Sequence, residues 1–151
     1  MEKHIPSQII RFNLLFKRYD DIYRRAARQF DLPELSLWVL YVLRGNPVCT
    51  QKDIVDQLLH PKQSVHSAIR SLELDGCIEM EYRENNHKSK YIRLTEKGAA
   101  LAEKTADQII AAENKAFRAL NDTEREAFLD LFERLTSFMD DEMNEIKERS
   151  R

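Results

Sequence analysis

The stretch from Thr50 to Gly98 constrains this chain more than any other, because the period of its apolar residues changes within it. TQKDIVDQLL reads as a short helix that turns Ile54, Val55 and Leu58 inward. Thr50 stands at its start as an N-cap, and Asp53 supplies a weak form of the capping box. HPKQSVHSAIRSLELDG reads as a sharp turn and a second amphipathic helix. In that helix Pro61 fits the first turn, Val65, Ala68, Ile69 and Leu72 face inward, and Gly76 supplies a left-handed C-cap. From Cys77 to Tyr82 the period drops to two, the mark of a half-buried strand, and Lys90 to Leu94 forms the return strand. The polar residues Arg83 to Ser89 between them read as a turn-forming tip rather than strand. Two helices across a sharp turn, followed by a hairpin, make a winged helix-turn-helix, a unit that most often binds DNA.

The outer stripe of the second helix carries the chemistry. Gln63, His66, Ser67 and Arg70 lie opposite the apolar positions, with Lys62 and Ser64 at the N-terminal end, and no acidic residue precedes Glu73. These side chains hydrogen-bond base edges or grip phosphates in a major groove. An ordinary solvated face draws on the same residue types, so position in the motif, not composition, marks them as the DNA-reading set. In the wing, His87, Lys88 and Lys90 are the candidates for the backbone or the adjacent minor groove, where cations are favoured. The alternative for that segment is a surface hairpin with no DNA contact.

The flanks read as helical scaffolding. From Ser7 to Phe30 the apolar residues Ile9, Phe12, Phe16, Tyr19, Tyr23, Ala26 and Phe30 follow a three-four spacing. Asp31-Leu32-Pro33 interrupts it, and Glu34 to Arg44 is apolar on most faces, as a central buried helix would be. Val48-Cys49 fits a very short strand. Thr95 caps one long alanine-rich helix running to about Leu120. Asn121 and Glu124 open a last helix with Phe128, Leu131, Phe132, Leu135, Phe138, Met139, Met143 and Ile146 on one face. These faces exceed what so small a core can cover. The fold class expected is therefore mainly α with a small β-wing: an N-terminal dimerisation helix over 1–33, a winged helix-turn-helix over 34–97, and C-terminal dimerisation helices over 98–151.

Composition removes several function classes. Three glycines and four prolines leave little room for a turn-rich all-β fold. A net charge of −2 does not advertise a nucleic-acid binder, but the acidic residues concentrate after Asp122, and Arg83, Lys88, Lys90, Arg93 and Lys97 gather at the hairpin. Cys49 and Cys77 lack metal-ligand spacing and read as buried reduced thiols, so no metal and no cofactor are expected. His4, His60, His66 and His87 are scattered, with no phosphate loop or nucleophile-base pair, so the chain is not expected to be an enzyme. It shows no membrane-spanning run and no leader peptide at its start, and a cytoplasmic protein is expected.

With these motifs in hand, the chain resembles the multiple antibiotic resistance regulator (MarR) family of winged-helix regulators. The resemblance runs over nearly the whole length. It rests on a long first helix, LSLWVLYVL, the helix-turn-helix, SLELDGCIE, a wing, and LTEKG opening the next helix. It implies a homodimer on a double-stranded, pseudo-palindromic operator, acting as a repressor or less often an activator. It also implies a small aromatic effector, for which Tyr19, Tyr23, Trp38 and Tyr41 are the pocket candidates; simple core packing explains these four as well. The wing departs from the family pattern: Asn86-His87-Lys88 stands where an Asp-Arg-Arg-like trio is common, which puts the minor-groove contact in question. The competing reading is a winged-helix interaction module that does not bind an operator.

Overall fold

Apolar periodicity dictates the order of elements in the computed structural model, which describes residues 5–83 and 86–149, and side chains outside 83–89. Helices α1 (Ile5–Gln29) and α2 (Glu34–Gly45) lead to a short strand β1 (Cys49–Thr50). The helix-turn-helix is α3 (Gln51–Leu58) and α4 (Lys62–Leu74), and the wing is β2 (Ile78–Arg83) with β3 (Asn86–Leu94). Helices α5 (Glu96–Lys104), α6 (Ala106–Phe117) and α7 (Asp122–Arg149) complete the chain. The strands form one antiparallel sheet in the order β1-β3-β2, with Cys49 opposite Ile92 and Met80 opposite the same residue from the other side. The chain divides into two units, residues 1–110 and 111–151.

In the first unit α2 is the centre. Leu37, Val39, Leu40 and Leu43 are fully enclosed, because α2 packs against α1, α3, α4, α5 and β3. Ile54 of α3, Val65, Ile69 and Leu72 of α4, and Ile78 and Ile92 of the sheet close the same core. Each such Leu, Ile or Val stabilises the fold by about 1.5–3 kcal/mol relative to an exposed side chain. One core thus serves the first unit, and α1, α5 and α6 contribute Ala27, Ala102 and Ala106 to it.

The second unit contains the C-terminal half of α6 and α7. A complete capping box joins them: Glu124 N donates to Asn121 Oδ1 at 2.9 Å and Asn121 N donates to Glu124 Oε2 at 2.8 Å. Arg125 donates to the carbonyls of Phe117 and Leu120 at the end of α6. No described residue of α7 is buried.

Three expectations need correction. The alanine-rich segment is not one helix to Leu120. It breaks at Thr105, whose backbone leaves the helical region at φ −129° and ψ −81°. Thr105 Oγ1 donates to Leu101 O at 2.7 Å, and the flanking Ala102 and Ala106 are both fully buried. Tertiary burial on either side of a back-bonding threonine redirects the chain where no proline or glycine announces it. The return strand begins at Asn86 rather than Lys90, with Arg83 paired to Asn86 across a register irregularity at Tyr82 and Arg83. Polar residues fit an exposed two-stranded ribbon as readily as a loop, because the ladder satisfies their backbone groups. Finally, Pro61 occupies the N-cap position just outside α4, one residue earlier than expected.

Gly98 carries the tightest packing among the three glycines. A Cβ there would meet the Cys77 carbonyl oxygen at 1.7 Å and its carbon at 2.7 Å, both backbone atoms that cannot swing away. Gly98→Ala is therefore expected to destabilise the protein by about 3 kcal/mol, the upper end of overpacking costs. Urea unfolding of the wild type and the variant, followed by circular dichroism, measures it.

Candidate nucleic-acid interface

The first helix of the motif is anchored by its cap. Thr50 N donates to Asp53 Oδ2 at 2.8 Å, Thr50 Oγ1 donates to the same oxygen at 2.8 Å, and Asp53 N donates to Thr50 Oγ1 at 3.2 Å. The box is complete, and the two donors hold the Asp53 carboxyl below the usual carboxylate range, the backbone N–H contributing most. The sharp turn passes through Leu59 in the left-handed region at φ +52°, with Leu59 N donating to Val55 O at 2.9 Å. Proline then sets the entry to α4, where Pro61 O accepts from Ser64 N at 2.9 Å.

The helix that follows is split as its sequence predicts. Val65, Ala68, Ile69 and Leu72 are buried, and Lys62, Gln63, Ser64, His66, Ser67 and Arg70 are all exposed on the other side. Two members of that stripe already hold partners. Ser67 Oγ donates to Gln63 O at 3.0 Å, and His66 Nδ1 lies 3.2 Å from Gln51 Oε1 at the start of α3. Gln51 escaped the sequence reading because a polar residue in a first helical turn has no distinguishing pattern. Only the fold brings it within reach of α4.

Recognition helix and wing share a groove of about 730 Å³, lined by Lys62 from α4 and Lys90 from β3 and walled by Val55, Met80 and Ile92. The Lys90 ammonium stands 5.3 Å from the centre of the Tyr82 ring, a cation–π contact. Lys52 also lines this groove, a cation the sequence reading passed over, and its ammonium pairs with Asp56. Arg93 is differently placed: its guanidinium donates to Glu79 at 2.7 Å and to Glu81, and these carboxylates raise its pKa, the Glu79 hydrogen bond first. The two carboxylates leave Arg93 with little net attraction for phosphate. His87 and Lys88 lie on β3, and their side chains fall outside the described ones.

Comparison with known proteins decides the class. The family model described as "MarR family" matches residues 30–88, which span α2, the helix-turn-helix and much of the wing. A MarR-family regulator from Neisseria meningitidis, NMB1585, is 25% identical, covers 95% of this chain and 98% of its own, and superposes with a TM-score of 0.75. The HTH-type transcriptional regulator YwhA of Bacillus subtilis (strain 168) is 26% identical over 120 residues, 75% of this chain and 86% of the relative. A MarR-family protein from Listeria monocytogenes, solved with a 26mer DNA, is 21% identical, covers 93% of each chain and has a TM-score of 0.70. The chain matches the MarR family over residues 30–88 and shares the fold of MarR-family regulators over nearly its whole length. It is a DNA-binding transcriptional regulator with a winged-helix fold, and the family it matches is not enzymatic.

Two further groups of residues have definite places. Tyr19 and Tyr23 share a hydroxyl hydrogen bond of 2.8 Å on α1. The Tyr23 ring lies 4.9 Å from Trp38 of α2, and Trp38 lies 5.4 Å from Tyr41, edge to face. The four candidates therefore form one continuous aromatic run, with Tyr19 exposed and the other three half-buried. Trp38 also lines an open cleft of about 510 Å³ with Arg24, Gln57 and His60. No helix among the described residues is long and apolar enough to cross a membrane.

Cys49 and Cys77 are free thiols, 1% and 3% exposed, as buried reduced cysteines should be. Burial pushes the Cys49 thiol up to about 11, with the Asp53 charge adding to the effect, so its reactive thiolate is scarce near neutrality. Iodoacetamide at pH 8 is expected to leave Cys49 unmodified in the folded protein and to alkylate it in denaturant. Peptide mass mapping reads both states.

Proposed function

We propose that this regulator acts as a homodimer on a pseudo-palindromic operator, chiefly as a repressor. The observation that supports the dimer is the open apolar face of its two longest helices. On α1, Ile9, Phe12, Phe16 and Tyr19 are exposed; on α7, Phe128, Leu131, Leu135 and Phe138 are exposed at three-four spacing. Stripes of this kind, 62% exposed at Leu131 and 60% at Phe138, are the signature of a covered surface in the working assembly. A second copy of the chain presents the same stripes, so an isologous two-fold contact can cover each of them. Two-fold symmetry then places two α4 helices in successive major grooves about 34 Å apart, and the operator inherits the symmetry as an inverted repeat.

In this reading Gln63, His66, Ser67 and Arg70 face base edges, and Lys62, Lys90 and the wing residues His87 and Lys88 meet the backbone or minor groove. The aromatic run from Tyr19 to Tyr41 supports a small aromatic effector, since its tilted and edge-to-face rings offer an apolar surface with hydroxyl groups at its rim. Such a ligand acts by its differential affinity for lobe separations that match or miss the groove spacing. Bound at the operator the protein blocks transcription, and the ligand relieves the block.

The test selects genomic fragments with purified protein and titrates the best fragment at two salt concentrations. An enriched inverted repeat with a steep salt slope is expected, and Lys62→Ala and Lys90→Ala should each lower that slope by about one without altering base preference. Phe138→Glu is expected to yield a folded monomer in sedimentation, with operator affinity reduced more than about tenfold because two half-sites are no longer linked. Weak, sequence-independent retention by the wild type would sink the operator reading and return the interaction module in its place.

A further inference from the structure

The contact between Gln51 and His66 has no part in holding the core together. Both groups sit at the surface between α3 and α4, and the bond of 3.2 Å is made from an amide oxygen to a ring nitrogen. Gln51 is the first residue of α3, and the Thr50–Asp53 capping box beside it sets the direction of that turn. His66 stands in the outer stripe of α4, whose inward neighbours Val65 and Ile69 are fully buried and so keep the helix from rolling. The imidazole is therefore held from both sides: its Cβ by a packed helix and its Nδ1 by a neighbouring helix.

A carbonyl oxygen accepts only, so Gln51 Oε1 selects the tautomer with the proton on Nδ1. In the neutral ring the other nitrogen, Nε2, is then a bare acceptor on the far edge. Ser67 is committed in the same sense, because its hydroxyl hydrogen points to Gln63 O and leaves oxygen lone pairs outward. Two adjacent positions of the stripe thus offer acceptors, and Gln63 and Arg70 supply donors. In the major groove, exocyclic amino groups occur on adenine (N6) and cytosine (N4), while guanine and thymine present acceptors at the corresponding edge.

We propose that Gln51, which need not touch DNA itself, is a specificity-determining positioning residue. By accepting from His66 Nδ1 it makes His66 read an amino-bearing base, adenine or cytosine, at one position of each half-site. The inference rests on the operator-binding reading and goes further, to the base class at one position and to the residue behind that choice.

The test repeats the selection with random half-site libraries for the wild type, Gln51→Ala, Gln51→Glu, His66→Ala and the Ala/Ala double variant. For the wild type, one position should prefer adenine or cytosine over guanine or thymine. Gln51→Ala should weaken that discrimination about fivefold, one hydrogen bond's worth, and leave the other positions unchanged. His66→Ala should erase it, and the double variant should match His66→Ala alone, since the glutamine acts through the ring. Gln51→Glu is the decisive arm. A carboxylate on Nδ1 favours the doubly protonated ring, whose Nε2–H donates, so the preference should move toward guanine or thymine. Loss of fold cannot produce that exchange, and thermal unfolding of each variant checks stability independently. Base preferences that stay the same in both Gln51 variants, with a wild-type operator in hand, would overturn this inference alone. Absence of any wild-type operator would overturn it together with the proposed function.

Discussion

The proposed DNA-facing surface depends on how closely the turn after α4 approaches the first turn of α5. Cys77 N donates to Leu72 O at 2.8 Å, Thr95 N donates to Cys77 O at 3.0 Å, and Thr95 Oγ1 donates to Gly76 O at 2.6 Å. The same hydroxyl oxygen accepts from Gly98 N at 3.1 Å, and Lys97 Nζ donates to Asp75 O at 2.5 Å. Gly76 takes φ +71° to make the turn, and Gly98 leaves room for the Cys77 carbonyl where a methyl group would collide. The end of the recognition helix, the start of one wing strand and the end of the other thus meet in one hydrogen-bonded cluster. DNA fixes the offset between a major-groove helix and the strand beside it to within ångströms, so a reading head must be rigid at this junction.

Electrostatics narrow how such a head works. The chain carries a net charge of −2, and among the described residues the wing arginine Arg93 is neutralised by Glu79 and Glu81, as Lys52 is by Asp56. Lys62 and Lys90 remain at the groove between helix and wing. In the proposed complex Lys62 and Lys90 hold phosphates, while the discrimination falls on hydrogen bonds to bases. That division favours side chains whose donors and acceptors are assigned before binding, as those of His66 and Ser67 are, because a pre-set ring loses less rotational freedom at the operator.

Much of this was legible in the chain itself. The inward set Val65, Ala68, Ile69 and Leu72, the cap at Thr50, the glycine at the end of α4 and the period-two strand are local signals, each with a local cause. What escaped was tertiary in origin. The break at Thr105 arises where two buried alanines and a back-bonding hydroxyl redirect a segment of strong helix formers. The left-handed Leu59 has no glycine to announce it; α3 and α4 must each bury their own face, and the turn adopts the conformation that permits both. At the site, the exposed stripe of α4 could be read by period, whereas the Gln51–His66 contact spans fifteen residues and exists only once the two helices cross. The two carboxylates on Arg93 were legible in principle, since Glu79 lies directly opposite it in register, but register is set by the hairpin and not by the sequence of either strand alone.

The aromatic run gives the architecture a physical route between its parts. Helix α1 packs on α2, and α2 packs on α4, so Trp38 stands on the element that α1 and the recognition helix both touch. α2 has no free face on which to slide: Leu37, Val39, Leu40 and Leu43 are enclosed, and a close-packed helix moves as a body rather than side chain by side chain. In the proposed switch, a ligand wedged between Tyr23 and Trp38 would tilt α2 and carry α4 with it, instead of being absorbed by local repacking. The cluster at Gly76, Cys77 and Gly98 ties the wing to the end of α4, so helix and wing would leave the groove together. In the proposed switch Gly76 and Gly98 keep the reading head rigid, and the rings between α1 and α2 take up the ligand.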